Sequence, residues 1–167
     1  MSHYARGITL TAILPGSFDP VTNGHVDLIK RTLSFADRVI VAICYNIHKQ
    51  GRFAPEKRAS FIKEALNGLV DDRFEIRVFS GLLGAFFDEC GADVVVRGVR
   101  SASEYERDLA QYLAYRRQNP KMETLFIPAD PEHIFISSSM IWEIAAFGGE
   151  IREMVPDCVA AAIQQRQ

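Results

Sequence analysis

A chain of 167 residues, 48% apolar and 24% charged, with a net charge of −2, suits one globular domain that buries roughly 70% of its unfolded surface. That balance excludes a polybasic surface for nucleic acid or anionic membrane, and no apolar run approaches the ~20 residues needed to span a bilayer. The opening Met-Ser-His-Tyr-Ala-Arg has no signal-peptide core, so a cytoplasmic protein is expected. Cys44, Cys90 and Cys158 are odd in number, widely spaced and set among apolar residues, as the packing thiols of a reducing compartment are.

Short β-branched runs alternate with helical patterns along the chain. Strands are predicted at Ile8–Leu14, Arg38–Tyr45, Phe74–Phe79, Val94–Arg97 and Thr124–Ile127, each continuously apolar as strands covered on both faces are. Helices are predicted at about His25–Phe35, Pro55–Leu66, Leu82–Cys90, Glu104–Gln118, Ser138–Phe147 and Pro156–Ile163. Overlapping capping boxes, Ser101-x-x-Glu104 and Ser103-x-x-Glu106, specify the start of the fourth. The alternation implies an α/β fold with a doubly wound parallel five-stranded sheet, in one domain over residues 1–167, and ligands at the C-terminal edge of the strands. Gly148-Gly149 reads as a helix end rather than a hinge.

Three turns at that edge carry chemistry. In Ile13-Leu-Pro-Gly-Ser-Phe-Asp-Pro-Val-Thr-Asn-Gly-His25, a buried strand stops at turn residues and a helix begins, so free amides and the positive helix end converge where phosphate could sit. Gly16 would allow close approach, Ser17 offers a hydroxyl and His25 an imidazole donor, although a tight βα turn with a solvated histidine would read the same way. At Val94-Val-Val-Arg-Gly-Val-Arg100, two guanidiniums follow a buried strand; a phosphate would satisfy Arg97 and Arg100, as would pairing with Asp93 or Glu104. Ile136-Ser-Ser-Ser-Met-Ile141 places three serines before a helical run, supplying caps and a second phosphate cradle.

Gly-Ser-Phe-Asp-Pro-Val-Thr-Asn-Gly-His resembles the first signature of the nucleotidyltransferase superfamily, in the T-x-G-H form of the phosphopantetheine adenylyltransferase family, with Thr22 and His25 in the histidine positions. Arg97-Gly-Val-Arg100 and Ile136-Ser-Ser-Ser139 resemble two further family motifs in the same order. The resemblance implies a Rossmann-like nucleotidyltransferase fold. It implies an ATP site of Gly16, Ser17, Phe18, His25, Arg97, Gly98, Arg100, Asp108, Ser137, Ser138 and Ser139, with Asp108 on the ribose. It also implies a 4′-phosphopantetheine site of Ser17, Lys49, Leu82, Leu83 and Arg97, with His25, Lys49, Ser17 and Arg97 serving catalysis. His48, Arg52 and Arg58 stay unassigned. The chain departs from the family at Trp142, where Lys or Arg is common, at Tyr115 in place of Asn, and at Asp108 in place of Glu.

The implied reaction moves AMP from ATP to 4′-phosphopantetheine, giving dephospho-coenzyme A and pyrophosphate by in-line attack without a covalent intermediate. Mg²⁺ would arrive on the nucleotide, since no spacing suggests a protein-held metal. The family's habit further implies a homohexamer and inhibition by coenzyme A; no nucleic acid or membrane partner is expected. Transfer to another phosphate such as nicotinate mononucleotide, a non-catalytic ATP-binding regulator, and a flavodoxin-like electron carrier remain open alternatives.

Overall fold

The computed structural model describes residues 9–45 and 51–166. Its elements are β1 Thr11–Gly16, α1 Asn23–Leu33, β2 Arg38–Cys44, α2 Pro55–Ala65, β3 Phe74–Phe79, α3 Leu83–Glu89, β4 Val94–Val99, α4 Ala102–Gln118, β5 Thr124–Pro128, α5 Ser138–Ala146 and α6 Asp157–Gln164. Every predicted strand and helix is present, with ends shifted by a few residues, as helix and strand ends commonly are. The first strand starts later and runs to Gly16, because its pairing with β2 continues through Pro15↔Ala42 and Gly16↔Ile43.

All four strand pairings are parallel and the order is β3-β2-β1-β4-β5. The chain winds outward from β1 to β3, then crosses back to place β4 on the other side of β1. The direction of winding therefore reverses between β1 and β4, where the ends of two adjacent strands open a crevice.

Side chains alternate across the sheet into two apolar layers. Ala12, Leu14, Val39, Val41 and Ile43 face a core closed by residues of α1, α2, α5 and α6, while Ile13, Ile40, Ala42 and Val95 face Leu83, Phe86 and Phe87 of α3. Coverage on both faces is why β2 reads as an unbroken apolar run. Helix α4 differs from the others: of its 17 residues only Asp108 is buried.

A second buried charge fixes the site's scaffold. Arg58 of α2 is 4% exposed, donates to the carbonyls of Phe53 (2.7 Å) and Ser17 (3.1 Å), and pairs with Asp19 at 3.3 Å. Asp19 also accepts from the amides of Arg52 and Phe53. The loop after β1 is thereby tied to the loop after β2. A Cβ on Gly51 would lie 1.7 Å from the Arg58 guanidinium, so only glycine leaves room for this junction. Because removing one partner strands a buried charge, Arg58→Met should cost about 3–5 kcal/mol, read as a lowered denaturation midpoint at fixed protein concentration.

Candidate active site

Two cavities meet at the C-terminal edge of β1 and β4. The larger, about 780 Å³, runs from the β1 end past Phe79, Leu82 and Leu83 to Gln111, Tyr112 and Tyr115. The smaller, about 310 Å³, is lined by His25, Gly98, Arg100, Glu104 and Ser137 to Ser139. Pro15, Gly16, Ser17 and Arg97 belong to both. The two cavities therefore adjoin at these four residues.

His25 is set by its own helix start. Thr22 caps α1, and the pair forms a reciprocal capping box in which the Thr22 N–H donates to His25 Nδ1 at 3.1 Å. A ring nitrogen accepting from an amide carries no proton, so the neutral ring bears its hydrogen on Nε2. Burial in the cavity, then the positive charges of Arg100 and Arg97, lower its pKa from 6.5 to about 4. His25 thus stands as a neutral N–H donor at pH 7. Phe18, buried with a left-handed φ of +50°, packs its ring 5.0 Å from the imidazole. A Cβ on Gly16 would meet that ring at 3.1 Å, so the glycine makes room for Phe18 as well as for the ligand approach that its position in the turn suggests.

The amides of α1 are less available than the turn's pattern implies. Asn23 N–H goes to the Met154 carbonyl, Thr22 N–H to the imidazole, and His25 N–H to Thr22. The first turn of α5 is the better cradle. Ser137 caps it and accepts from Met140 N–H, while the Ser138 hydroxyl donates to the Pro20 carbonyl at 2.8 Å. Ser139 remains exposed at the cavity, beside first-turn amides that no intrahelical acceptor can satisfy.

Both arginines of the Arg-Gly-Val-Arg turn are held by carboxylates of α4. Arg97 donates through Nε and Nη2 to one oxygen of Asp108, and through Nη1 to the Pro15 carbonyl at 2.9 Å. Asp108 lines the larger cavity and not the smaller one. Arg100 donates to both oxygens of Glu104 and to the Ile136 carbonyl. Ser101 caps α4 as expected, but the Glu104 carboxylate turns to Arg100, and Ser103, already inside the helix, bonds Ser101 instead of starting a second cap. Asp93 accepts from Thr11 N–H instead of pairing with an arginine of this turn.

Leu83 is buried against Phe86 and Phe87, whereas Leu82 is 64% exposed at the cavity mouth. The Tyr115 hydroxyl accepts from Gln111 on the same wall. Trp142 lines neither cavity: its Nε1 donates to the Asp19 carbonyl and its ring lies 5.3 Å from Phe53, so it braces the Asp19 loop. Arg52 stacks on that indole. Lys49 and His48 lie outside the described residues. Glu104 takes up the pairing with Arg100 that its spacing allowed, whereas no local pattern marks Arg58, because an arginine on an exposed-looking helix reads as solvated until its distant partner is known.

Fold and site define a nucleotidyltransferase-type α/β enzyme. Residues 13–144 match the family model described as cytidylyltransferase-like. Proteins named phosphopantetheine adenylyltransferase are similar over nearly the whole chain: that of Rubrobacter xylanophilus is 42% identical, covering 92% of this chain and 93% of the relative, and that of Finegoldia magna is 39% identical, covering 92% and 94%. The Deinococcus radiodurans protein of that name is 42% identical, covering 94% and 93%. A crystal structure titled as a putative nicotinate-nucleotide adenylyltransferase from Vibrio parahaemolyticus shares the fold, with a TM-score of 0.68 at 15% identity, covering 94% of this chain and 99% of that one. The chain belongs to the cytidylyltransferase-like family and, within it, to the phosphopantetheine adenylyltransferases.

A histidine whose folded pKa lies below its unfolded value binds fewer protons when folded. His25 should therefore erode stability as pH falls from about 6.5 toward about 4, by at most about 1.4 kcal/mol per pH unit, and should leave it untouched above that window. Proton titration of the His25 ring by NMR should show a midpoint near 4; a midpoint near 6.5 would contradict the neutral-donor geometry.

Proposed function

We propose that the protein transfers the adenylyl group of ATP to 4′-phosphopantetheine, giving dephospho-coenzyme A and pyrophosphate in coenzyme A biosynthesis. The observation that carries this reading is the shared wall of Gly16, Ser17 and Arg97, with a cavity for one substrate on each side. The smaller cavity has the α5 amides, Arg100 and the His25 donor suited to a triphosphate. The larger is long and partly apolar, with Leu82, Leu83 and three tyrosines, Tyr45, Tyr112 and Tyr115, which suits the extended pantetheine arm better than a second nucleotide. The curated relatives' name supports the same pair of substrates.

The acceptor's phosphate oxygen is already anionic, so attack on the α-phosphorus needs no general base and catalysis is positioning with charge stabilisation. Ser17 and Arg97 sit where the attacking phosphate would cross. The Nε2–H of His25 donates to an α-phosphate oxygen as negative charge builds, and Arg100 with the α5 amides keeps the departing pyrophosphate. Lys49 would add a cation from the loop after β2. Asp108, the residue in the family's ribose position, stands against Arg97. Glu104 is committed to Arg100 and offers little to a metal, so Mg²⁺ would bind the phosphates of ATP and keep most of its waters.

Coenzyme A carries both the pantetheine arm and an adenylyl group, so it would compete across both cavities. No described helix is long and apolar enough to cross a membrane, and the reading places the enzyme in the cytoplasm. Tyr105 and Leu113 on α4 and, on the other side of the sheet, Leu125 of the edge strand β5 are exposed apolar side chains suited to packing against further copies in a homohexamer.

Pyrophosphate release with Mg-ATP should require 4′-phosphopantetheine and be absent with nicotinate mononucleotide or no acceptor. His25→Ala should lower kcat about 10²–10³-fold with little change in either KM. ATP binding without release would leave a regulator in place of an enzyme. Sedimentation should give a hexamer, and a monomer at all concentrations would refute the assembly.

A further inference from the structure

Helix α4 rests Tyr105 and Tyr112 on Phe126 of β5 and meets the turn after β4 with charge. Its buried residue is Asp108, and one turn earlier on the same face stands Glu104, whose side chain is 14% exposed. Each holds one arginine of the turn after β4. Glu104 accepts from Arg100 Nε, Nη2 and the backbone N–H, leaving Arg100 Nη1 to reach the Ile136 carbonyl at the cap of α5. Asp108 accepts from Arg97 Nε and Nη2, leaving Nη1 on Pro15 at the end of β1. A guanidinium has five N–H donors, so each arginine keeps two for a ligand, aimed by the carboxylate behind it.

We propose that Glu104 and Asp108 are positioning residues that divide the two substrates between them, Glu104 aiming Arg100 at the nucleotide and Asp108 aiming Arg97 at the acceptor phosphate. This rests on the adenylyl-transfer reading above and changes what its resemblance implies for Asp108. Arg100 and Glu104 line only the smaller cavity, and Asp108 lines only the larger. One Asp108 oxygen accepts from both Nε and Nη2 of Arg97, so the carboxylate is spent on that arginine. An arginine swinging free of its partner would still carry its charge, but it would lose the fixed fork that binds phosphate with two donors.

The test is steady-state kinetics and calorimetric binding of both ligands to the full chain carrying Glu104→Gln or Asp108→Asn. Glu104→Gln should raise KM and Kd for ATP about tenfold and leave those for 4′-phosphopantetheine within about twofold; Asp108→Asn should do the reverse. Asp108→Asn placed on Arg97→Gln should add nothing further, since its effect runs through Arg97. A rise for ATP alone in Asp108→Asn would mean a direct nucleotide contact and overturn the assignment. A fall in melting temperature with every KM and Kd intact would reduce both residues to structural pairs and overturn it as well. Wild-type turnover tests the reaction itself, and calorimetry keeps the substrate split readable if turnover fails.

Discussion

A guanidinium buried beside a carboxylate holds the site together. Arg58 and Asp19 leave water together, and neither could do so alone without a desolvation cost of several kcal/mol. What the pair secures is the short segment after β1. Arg58 takes the Ser17 carbonyl, Trp142 the Asp19 carbonyl and Ser138 the Pro20 carbonyl, so α2 and α5 both grip the turn that separates the two cavities. The backbone of Ser17 is thereby held by its own scaffold. Preorganisation of this kind is the usual source of catalysis when no covalent chemistry is asked of the protein.

Electrostatics in the smaller cavity follow from what the arginines already touch. Arg97 and Arg100 are each matched by a carboxylate, so the cavity does not present bare positive charge to a polyanion. Hydrogen bonding by Arg100 holds Glu104 well below the usual carboxylate range, and Glu104 in turn raises Arg100, so the pair stays ionised together. Burial lowers His25 first, and the positive charges of Arg100 and Arg97 lower it further. Attraction for phosphate then comes from aimed N–H groups more than from net charge.

Much of this was legible in the sequence. Strands buried on both faces announce themselves as continuous apolar runs, and a helix start near His25 could be read from the turn residues before it, although the Thr22 cap and its bond to the imidazole were not. The cavity-lining role of the three serines also followed from their place at a helix start. Residues that act through a partner far along the chain were not legible. Arg58 reaches 39 positions back to Asp19, and nothing near it in sequence distinguishes it from a surface arginine. The Asn23 amide, free by local rules, is taken by a carbonyl 131 residues later. Trp142, a departure from the family pattern in the sequence, proves to be a brace, since its indole bonds the Asp19 loop.

In the adenylyl-transfer reading proposed above, the wall shared by the two cavities separates choosing a partner from breaking a bond. Residues that surround only the larger cavity, such as Leu82 and Tyr115, touch neither His25 nor the α5 serines. Their exchange alters what fits without disturbing what reacts. A lineage, or a protein engineer, can therefore explore new acceptors by rewriting one room of the molecule while the other keeps its chemistry.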